Sequence, residues 1–367
     1  MSTTAPVRVV VADDSAMMRA IVTNSLKASG VEVVGSASNG DEALALCERE
    51  RPDAMTLDLA MPGLDGIGVL RALRTRGDTS VPVVVVSAFS PAHGARAVDA
   101  LAEGAFDLVA KPAIGEGLEM FKQSLAEKIA AAAQSRRGRA RIAASDTAVS
   151  SRFARAAIAT TSPASPRGNG FAAPRRLTRA GLQKVVLIAT STGGPRALAT
   201  LVPKLPAPLG MGTMIVQHMP PGFTGSLAAR LNSASPLNVR EATTGEALDA
   251  GAALIAPGGL HLRLRPDGRT TLSEEEAIGG LRPRADLLIE DAAKLYGDRL
   301  LLVVMTGMGN DGLRGATEVR RRGGRILVES QDTCTVYGMP RAIVEAQLAD
   351  DVLPLDQLPA AIAAEAA

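Results

Sequence analysis

Short apolar runs recur along the chain, and each is followed by a stretch with helical spacing. Residues 7–12 (VRVVVA) are β-branched and end at Asp13–Asp14. The segment SAMMRAIVTNSLKAS then reads as a helix closed by Gly30, a residue suited to the left-handed position after a helix end. The alternation repeats with strand candidates VEVVG, DAMTLD, VPVVVVS and FDLVA, and with helices starting near Asp41, Gly66, Ala92 and Glu116. Five such alternations within about 130 residues predict a doubly wound parallel sheet. After Lys184 the pattern resumes with VVLIA, TMIVQ, AALIA, LLLVVMT and RILVE, and HLRLR and RTTLS flank the turn PDG as a hairpin. The fold class expected is therefore α/β, with two doubly wound parallel-sheet domains at 1–130 and 183–367. Residues 131–182 lack sustained periodicity and read as a flexible Ala/Arg/Ser/Pro linker, although RRGRARIAAS and SSRFARAAIA are compatible with helix.

Composition adds little to this picture until it is resolved along the chain. Of 367 residues, 46% are hydrophobic and 21% charged, ordinary for a globular protein. Six Phe, two Tyr and no Trp leave an aliphatic core and few rings for base stacking. Two cysteines, Cys47 and Cys334, exclude a disulfide framework, and three histidines leave little for a His-rich metal site. The start of the chain lacks the pattern of a signal peptide, and no apolar run reaches the roughly 18 residues of a membrane span. A cytoplasmic protein with no direct membrane insertion is expected. The net charge of +2 conceals an asymmetry. Residues 134–184 hold eleven basic residues against the single acid Asp146, which leaves 29 basic and 37 acidic residues elsewhere.

In a doubly wound sheet, ligands sit beyond the C-terminal strand ends. The strand ends of the first domain carry Asp13 and Asp14, Asp58, Ser87, and Lys111–Pro112. Clustered carboxylates without His or Cys suit Mg²⁺. Lys111 and Ser87 beside them suit a phosphoryl group, with Asp58 as the nucleophile that takes it. The motifs VADDS, LDLAMPGLDG, Ser87 and AKP make this third of the chain resemble the receiver domain of two-component response regulators, a flavodoxin-like fold. The resemblance implies that Asp58 is phosphorylated and that Asp13, Asp14, Asp58 and the Ala60 carbonyl hold Mg²⁺. Leu108 stands where receivers usually carry an aromatic residue.

Three strand-end segments mark the second domain: ATSTGGPRAL, QHMPPGFTGSLAARLN and MTGMGNDGLRG. They place Ser191, His218 and Asp311 in segments that follow apolar strands. A serine, an imidazole base and a carboxylate that orients it make a nucleophilic hydrolase. Taken singly, STGG also reads as a phosphate-binding turn and GMGNDG as a tight loop; a dinucleotide fingerprint is not met by the glycine spacing. With IAPGGLHLRL and CTVYGMPRAI, residues from about 184 to 355 closely resemble the catalytic domain of the chemotaxis protein-glutamate methylesterases (the CheB family), Rossmann-like in fold. The resemblance implies Ser191 as nucleophile, His218 as base and Asp311 as its orienter. It also implies Thr192 beside the nucleophile and the Met308 N–H near the oxyanion. Members hydrolyse γ-glutamyl methyl esters on methyl-accepting chemotaxis receptors, some also deamidate receptor glutamines, and a histidine kinase is the phosphodonor. The receiver covers the active site until phosphorylated. No cofactor is implied for the hydrolysis itself.

This chain departs from the family pattern at Ala189–Thr190, where glycine–alanine is usual, and at Arg282–Pro283–Arg284, where Arg-Pro-Ser is common. His261 is an alternative base or a structural residue, His93 is expected on a helix surface, and Cys47 at core spacing. Cys334 is a second nucleophile candidate without a neighbouring histidine. A competing expectation is a response regulator whose basic linker binds nucleic acid. The segment lacks interleaved aromatics, and no helix-turn-helix pattern follows, so no nucleic-acid partner is expected.

Overall fold

The computed structural model describes residues 5–75, 81–88, 91–112, 118–153 and 183–367. Residues 154–182 of the expected linker at 131–182, and with them much of the basic stretch of the competing nucleic-acid reading, lie outside the described residues.

The N-terminal unit runs β1 (Arg8–Ala12), α1 (Ala16–Ala28), β2 (Glu32–Ala37), α2 (Gly40–Glu50), β3 (Ala54–Leu57), α3 (Gly66–Arg74), β4 (Val83–Ser87), α4 (Pro91–Ala102), β5 (Asp107–Ala110) and α5 (Leu118–Phe153). Its five strands form one parallel sheet in the order β2-β1-β3-β4-β5. β3 and β4 are buried throughout, which is why they read as unbroken apolar runs. Ser15 caps α1 by accepting from Met18 N, and α1 ends at Ala28, followed by Ser29 as its cap and Gly30, whose φ is +76°. The expected boundary at residue 130 falls inside α5. Ala131, Ala132 and Ala133 are buried, two of them in the same cluster as Phe106 and Phe121, so the helix continues through the first part of the basic stretch.

The C-terminal unit runs β6 (Val185–Thr190), α6 (Gly194–Leu201), β7 (Thr213–Gln217), α7 (Phe223–Ala234), β8 (Asn238–Glu241), β9 (Ala252–Ile255), β10 (His261–Leu264), β11 (Thr270–Ser273), α8 (Ala285–Tyr296), β12 (Leu300–Val304), α9 (Leu313–Arg321), β13 (Arg325–Glu329), α10 (Met339–Glu345), β14 (Asp351–Leu353) and α11 (Leu358–Ala366). Seven strands make a parallel sheet in the order β14-β13-β12-β6-β7-β9-β8, and β10 and β11 form the expected antiparallel hairpin. The chain leaves β6 toward β7 and later returns to β12 on its other side. The C-terminal ends of β7, β6 and β12 therefore flank the crevice where strand order reverses.

The two units pack together. One apolar cluster includes Leu101 and Ala105 of the first unit and Phe223 and Leu227 of the second. Gly94 on α4 makes this approach close: a Cβ there would lie 2.9 Å from Gly222 O and 3.0 Å from Ser226 Oγ. Asp99 on α4 pairs with Arg230 on α7. Met308 and Val336 pack against the cluster containing Phe106, Val109 and Phe121. Among the described residues, no helix is long and apolar enough to cross a membrane.

Candidate active site

Strand register brings the candidate residues together. Ala12 pairs with Leu57, so Asp13 and Asp58 are the next positions on neighbouring strands. Ser87 pairs with Ala110, which delivers Lys111 beside them. Asp13 and Asp58 are buried, Asp14 is exposed, and ligand oxygens from the three lie within 4.8 Å of one another. The Lys111 ammonium sits 2.8 Å from Asp13 Oδ2 and 3.1 Å from Asp58 Oδ1. Burial pushes the Asp13 carboxyl above its ordinary value despite Lys111. Burial also works against the Lys111 charge, but Asp13 and Asp58 outweigh it and hold the ammonium above its usual range. Three carboxylates against one lysine leave an excess of negative charge. Ser87 Oγ is buried without a hydrogen-bond partner, and the ion pair with Lys111 is the contact that Asp13 Oδ2 makes. An all-oxygen donor set of this kind fits a hard divalent cation, and the unpartnered serine hydroxyl fits an anionic oxygen. Ala60 is exposed two residues after Asp58.

In the second unit, Thr190 pairs with Gln217, so Ser191 and His218 occupy the next register position on adjoining strands. His218 N donates to Thr190 O at 3.2 Å as the last rung of the ladder. His218 Nε2 lies 2.7 Å from Asp311 Oδ2, which leaves Nδ1 buried and without a hydrogen-bond partner. The Asp311 carboxylate also accepts from the backbone N–H groups of Ala285, Asp286 and Gly312, at 2.7, 3.0 and 2.9 Å. Two of these donors begin α8, so Asp311 receives the positive end of a helix it does not belong to. Burial raises its pKa, but His218 and these N–H groups prevail and hold the carboxyl well below the usual carboxylate range.

Arg284, the residue at the family departure, is not a free cleft cation. Its Nε lies 3.0 Å from Asp311 Oδ1, its Nη2 is 3.0 Å from Asp286 Oδ2, and its Nη1 donates to Ile278 O. Asp286 in turn accepts from Gly312 N and Gly315 N. His261 is fully buried, with Nδ1 accepting from Arg284 N and Nε2 facing Glu276 O, so both ring nitrogens are taken by backbone. Cys47 packs in the core as its spacing suggested. Burial and the adjacent Glu329 push the Cys334 thiol far up, which makes it a poor nucleophile. His93 lies within α4, with its side chain outside the described residues.

Thr192, expected beside the nucleophile, is buried, and its hydroxyl donates at 2.5 Å to Asp107 Oδ2 of β5, across the interface. Asp107, Arg96 and Glu329 were not singled out from sequence. Asp107 Oδ1 also receives Lys128 Nζ at 2.9 Å. Arg96 on α4 donates to Leu59 O and to Asp65, which ties that helix to the residue after Asp58. Fully buried Glu329 accepts from Thr306 N at 2.8 Å, and Thr306 O accepts Ser191 N at 3.0 Å. Leu108, in place of the aromatic residue, is buried in the core.

Residues 186–362 match the family model described as CheB methylesterase, and residues 9–121 match the response regulator receiver domain. A protein-glutamate methylesterase/protein-glutamine glutaminase of Symbiobacterium thermophilum is 42% identical, covering 97% of this chain and 96% of that protein. A protein of the same name from Moorella thermoacetica is 39% identical over 98% of each chain. The solved Thermotoga maritima CheB methylesterase catalytic domain shares 42% identity, covers 50% of this chain and 98% of that one, and superposes with a TM-score of 0.48.

Proposed function

The chain belongs to the CheB methylesterase family with an N-terminal receiver domain, and we propose that it is a phosphorylation-activated protein-glutamate methylesterase, with protein-glutamine deamidation as a second activity, acting on methyl-accepting chemotaxis receptors. The observation that carries this reading is the placement of Ser191 and His218 at adjoining strand ends, with His218 Nε2 on a buried, fully bonded Asp311.

The chemistry follows from that placement. Asp311 fixes the tautomer with the proton on Nε2, so the Nδ1 lone pair accepts the Ser191 Oγ proton. The oxygen attacks the γ-ester carbonyl and forms a tetrahedral intermediate whose negative oxygen needs donors. The Met308 N–H, which has no acceptor among the described residues, serves there. The intermediate collapses, His218 returns its proton to the leaving methoxide, and methanol departs from an acyl-enzyme. Water, deprotonated by His218, then releases the glutamate and restores Ser191. With a glutamine side chain the leaving group is ammonia.

In the receiver domain Asp13, Asp14, Asp58 and the Ala60 carbonyl would hold Mg²⁺, which shields the charge of an incoming phosphoryl group. A histidine kinase supplies that group to Asp58, Lys111 and Ser87 contact its oxygens, and the receiver face carrying Asp107, Val109 and Phe121 lets go of Thr192, Met308 and Val336 and so releases the cleft. The test is methanol release from a methylated receptor cytoplasmic fragment, with and without a phosphodonor. Phosphodonor should raise the rate, and Ser191→Ala should lower it by about 10⁶. Unchanged turnover in that variant would refute the assignment.

A further inference from the structure

We infer that Gln217 is a positioning residue that sets the spacing of the nucleophile and its base, and that Thr190 orients it. The inference rests on the hydrolase reading above. Gln217 is the last residue of β7 and is only 1% exposed. Its Nε2 donates to Ser191 O at 2.9 Å and to His218 O at 3.1 Å, so one planar amide spans the two loops that carry the reacting groups. Its Oε1 accepts from Thr190 Oγ1 at 2.6 Å. Facing two carbonyls on one side and a hydroxyl on the other, the amide has a single orientation that satisfies every group. The residue after the serine loop makes room for it: a Cβ on Gly194 would lie 1.9 Å from Gln217 Oε1.

Thr190 stands at one of the departures from the family pattern, where alanine is usual. An alanine there offers no hydroxyl to Oε1, which would leave a buried acceptor unpaired and the amide free to turn. In this chain the orientation is fixed by a side chain directly preceding the nucleophile. Because proximity effects fall off steeply with misplacement, loosening this fork should slow the attack and leave substrate binding intact.

The experiment uses the full chain with Mg²⁺ and an acyl phosphate. It reads kcat and KM for methanol release from the methylated receptor fragment, the rate of Ser191 labelling by a fluorophosphonate, and the thermal midpoint. Thr190→Val is expected to lower kcat and the labelling rate by about tenfold, the scale of one buried hydrogen bond, with KM unchanged. Thr190→Ser should restore both to within about twofold of the parent. Gln217→Glu keeps the volume, but its ionised form presents only acceptors to two carbonyls. Its labelling rate relative to the parent should therefore fall as pH rises. Thr190→Val labelling at the parent rate, a loss that Thr190→Ser shares, or a pH-independent ratio for Gln217→Glu would each overturn the inference. A parent chain that labels at Ser191 but releases no methanol would refute the receptor-ester reading alone, since the labelling rates still decide the positioning. A parent chain that does not label would overturn both.

Discussion

The two sites stand at matching places in two sheets of the same kind, yet they are wired in opposite ways. The acidic pocket at the ends of β1, β3 and β5 is underbonded, with three carboxylates around one lysine and the buried Ser87 Oγ unpaired. Around Asp311 almost nothing is left unpaired, because three backbone N–H groups and His218 share its two oxygens. Of the buried polar atoms of His218, Arg284 and Asp311, His218 Nδ1 alone has neither a hydrogen bond nor an ion pair, and that is the atom the proposed reaction uses. A site that must change state keeps charge and hydrogen-bonding capacity in reserve. A site that must repeat one geometry spends them all on rigidity, so its control has to come from access.

The most severe way to break this contrast is to leave the catalytic side one bond short. Asp311→Asn presents an N–H to His218 Nε2 and favours the wrong tautomer. Methanol release should fall by about 10⁴, while the fold, judged by circular dichroism, persists. Emptying the reserve on the receiver side should act differently. Asp58→Asn should abolish the increase in rate on adding phosphodonor without removing turnover, as paired assays of the two proteins would show. Smaller still is a wedge at the interface. Gly94→Val forces α4 off Gly222 and should raise the rate without phosphodonor. A bias of about 1 kcal/mol gives roughly fivefold, and an unchanged rate would mean the docked face does not limit access.

The smallest effect concerns Glu329, whose carboxyl burial raises above its ordinary 4.5. The unfolded chain then loses this proton at a lower pH than the folded one. Stability drops as pH rises from about 4.5 through the raised folded value, and the penalty stays constant above it. Gln can keep the bond from Thr306 N without a charge. Glu329→Gln should therefore raise the thermal midpoint by a few degrees at neutral pH, with the gain shrinking toward acid.

Central strands and strand-end chemistry were legible because buried parallel strands carry unbroken apolar runs; Ser191, His218, Asp13 and Asp58 directly follow strands, and Asp311 lies in the glycine-rich loop after β12. The edge strands β8 (NVRE) and β14 (DVL) were not seen, since each has one neighbour and exposed positions that admit polar residues. The continuity of α5 past residue 130 was not fixed by sequence, because beyond Ile129 its buried positions are alanines and its Arg-rich residues are compatible with helix or linker. Asp107 and Gln217 gave no local signal at all. Their partners lie 85 and 26 positions away in the chain, and only the folded arrangement makes a buried acid at a strand start or a glutamine before a histidine meaningful.

The bond from Thr192 to Asp107 joins two parts of one polypeptide. Any outside molecule that needs the Thr192 hydroxyl competes with a tethered rival, present at an effective concentration of about millimolar whatever the number of copies in solution. Dilution cannot relieve that competition and crowding cannot deepen it. The occupancy of the cleft is thus a property of each single chain, set by its own equilibrium rather than by its abundance.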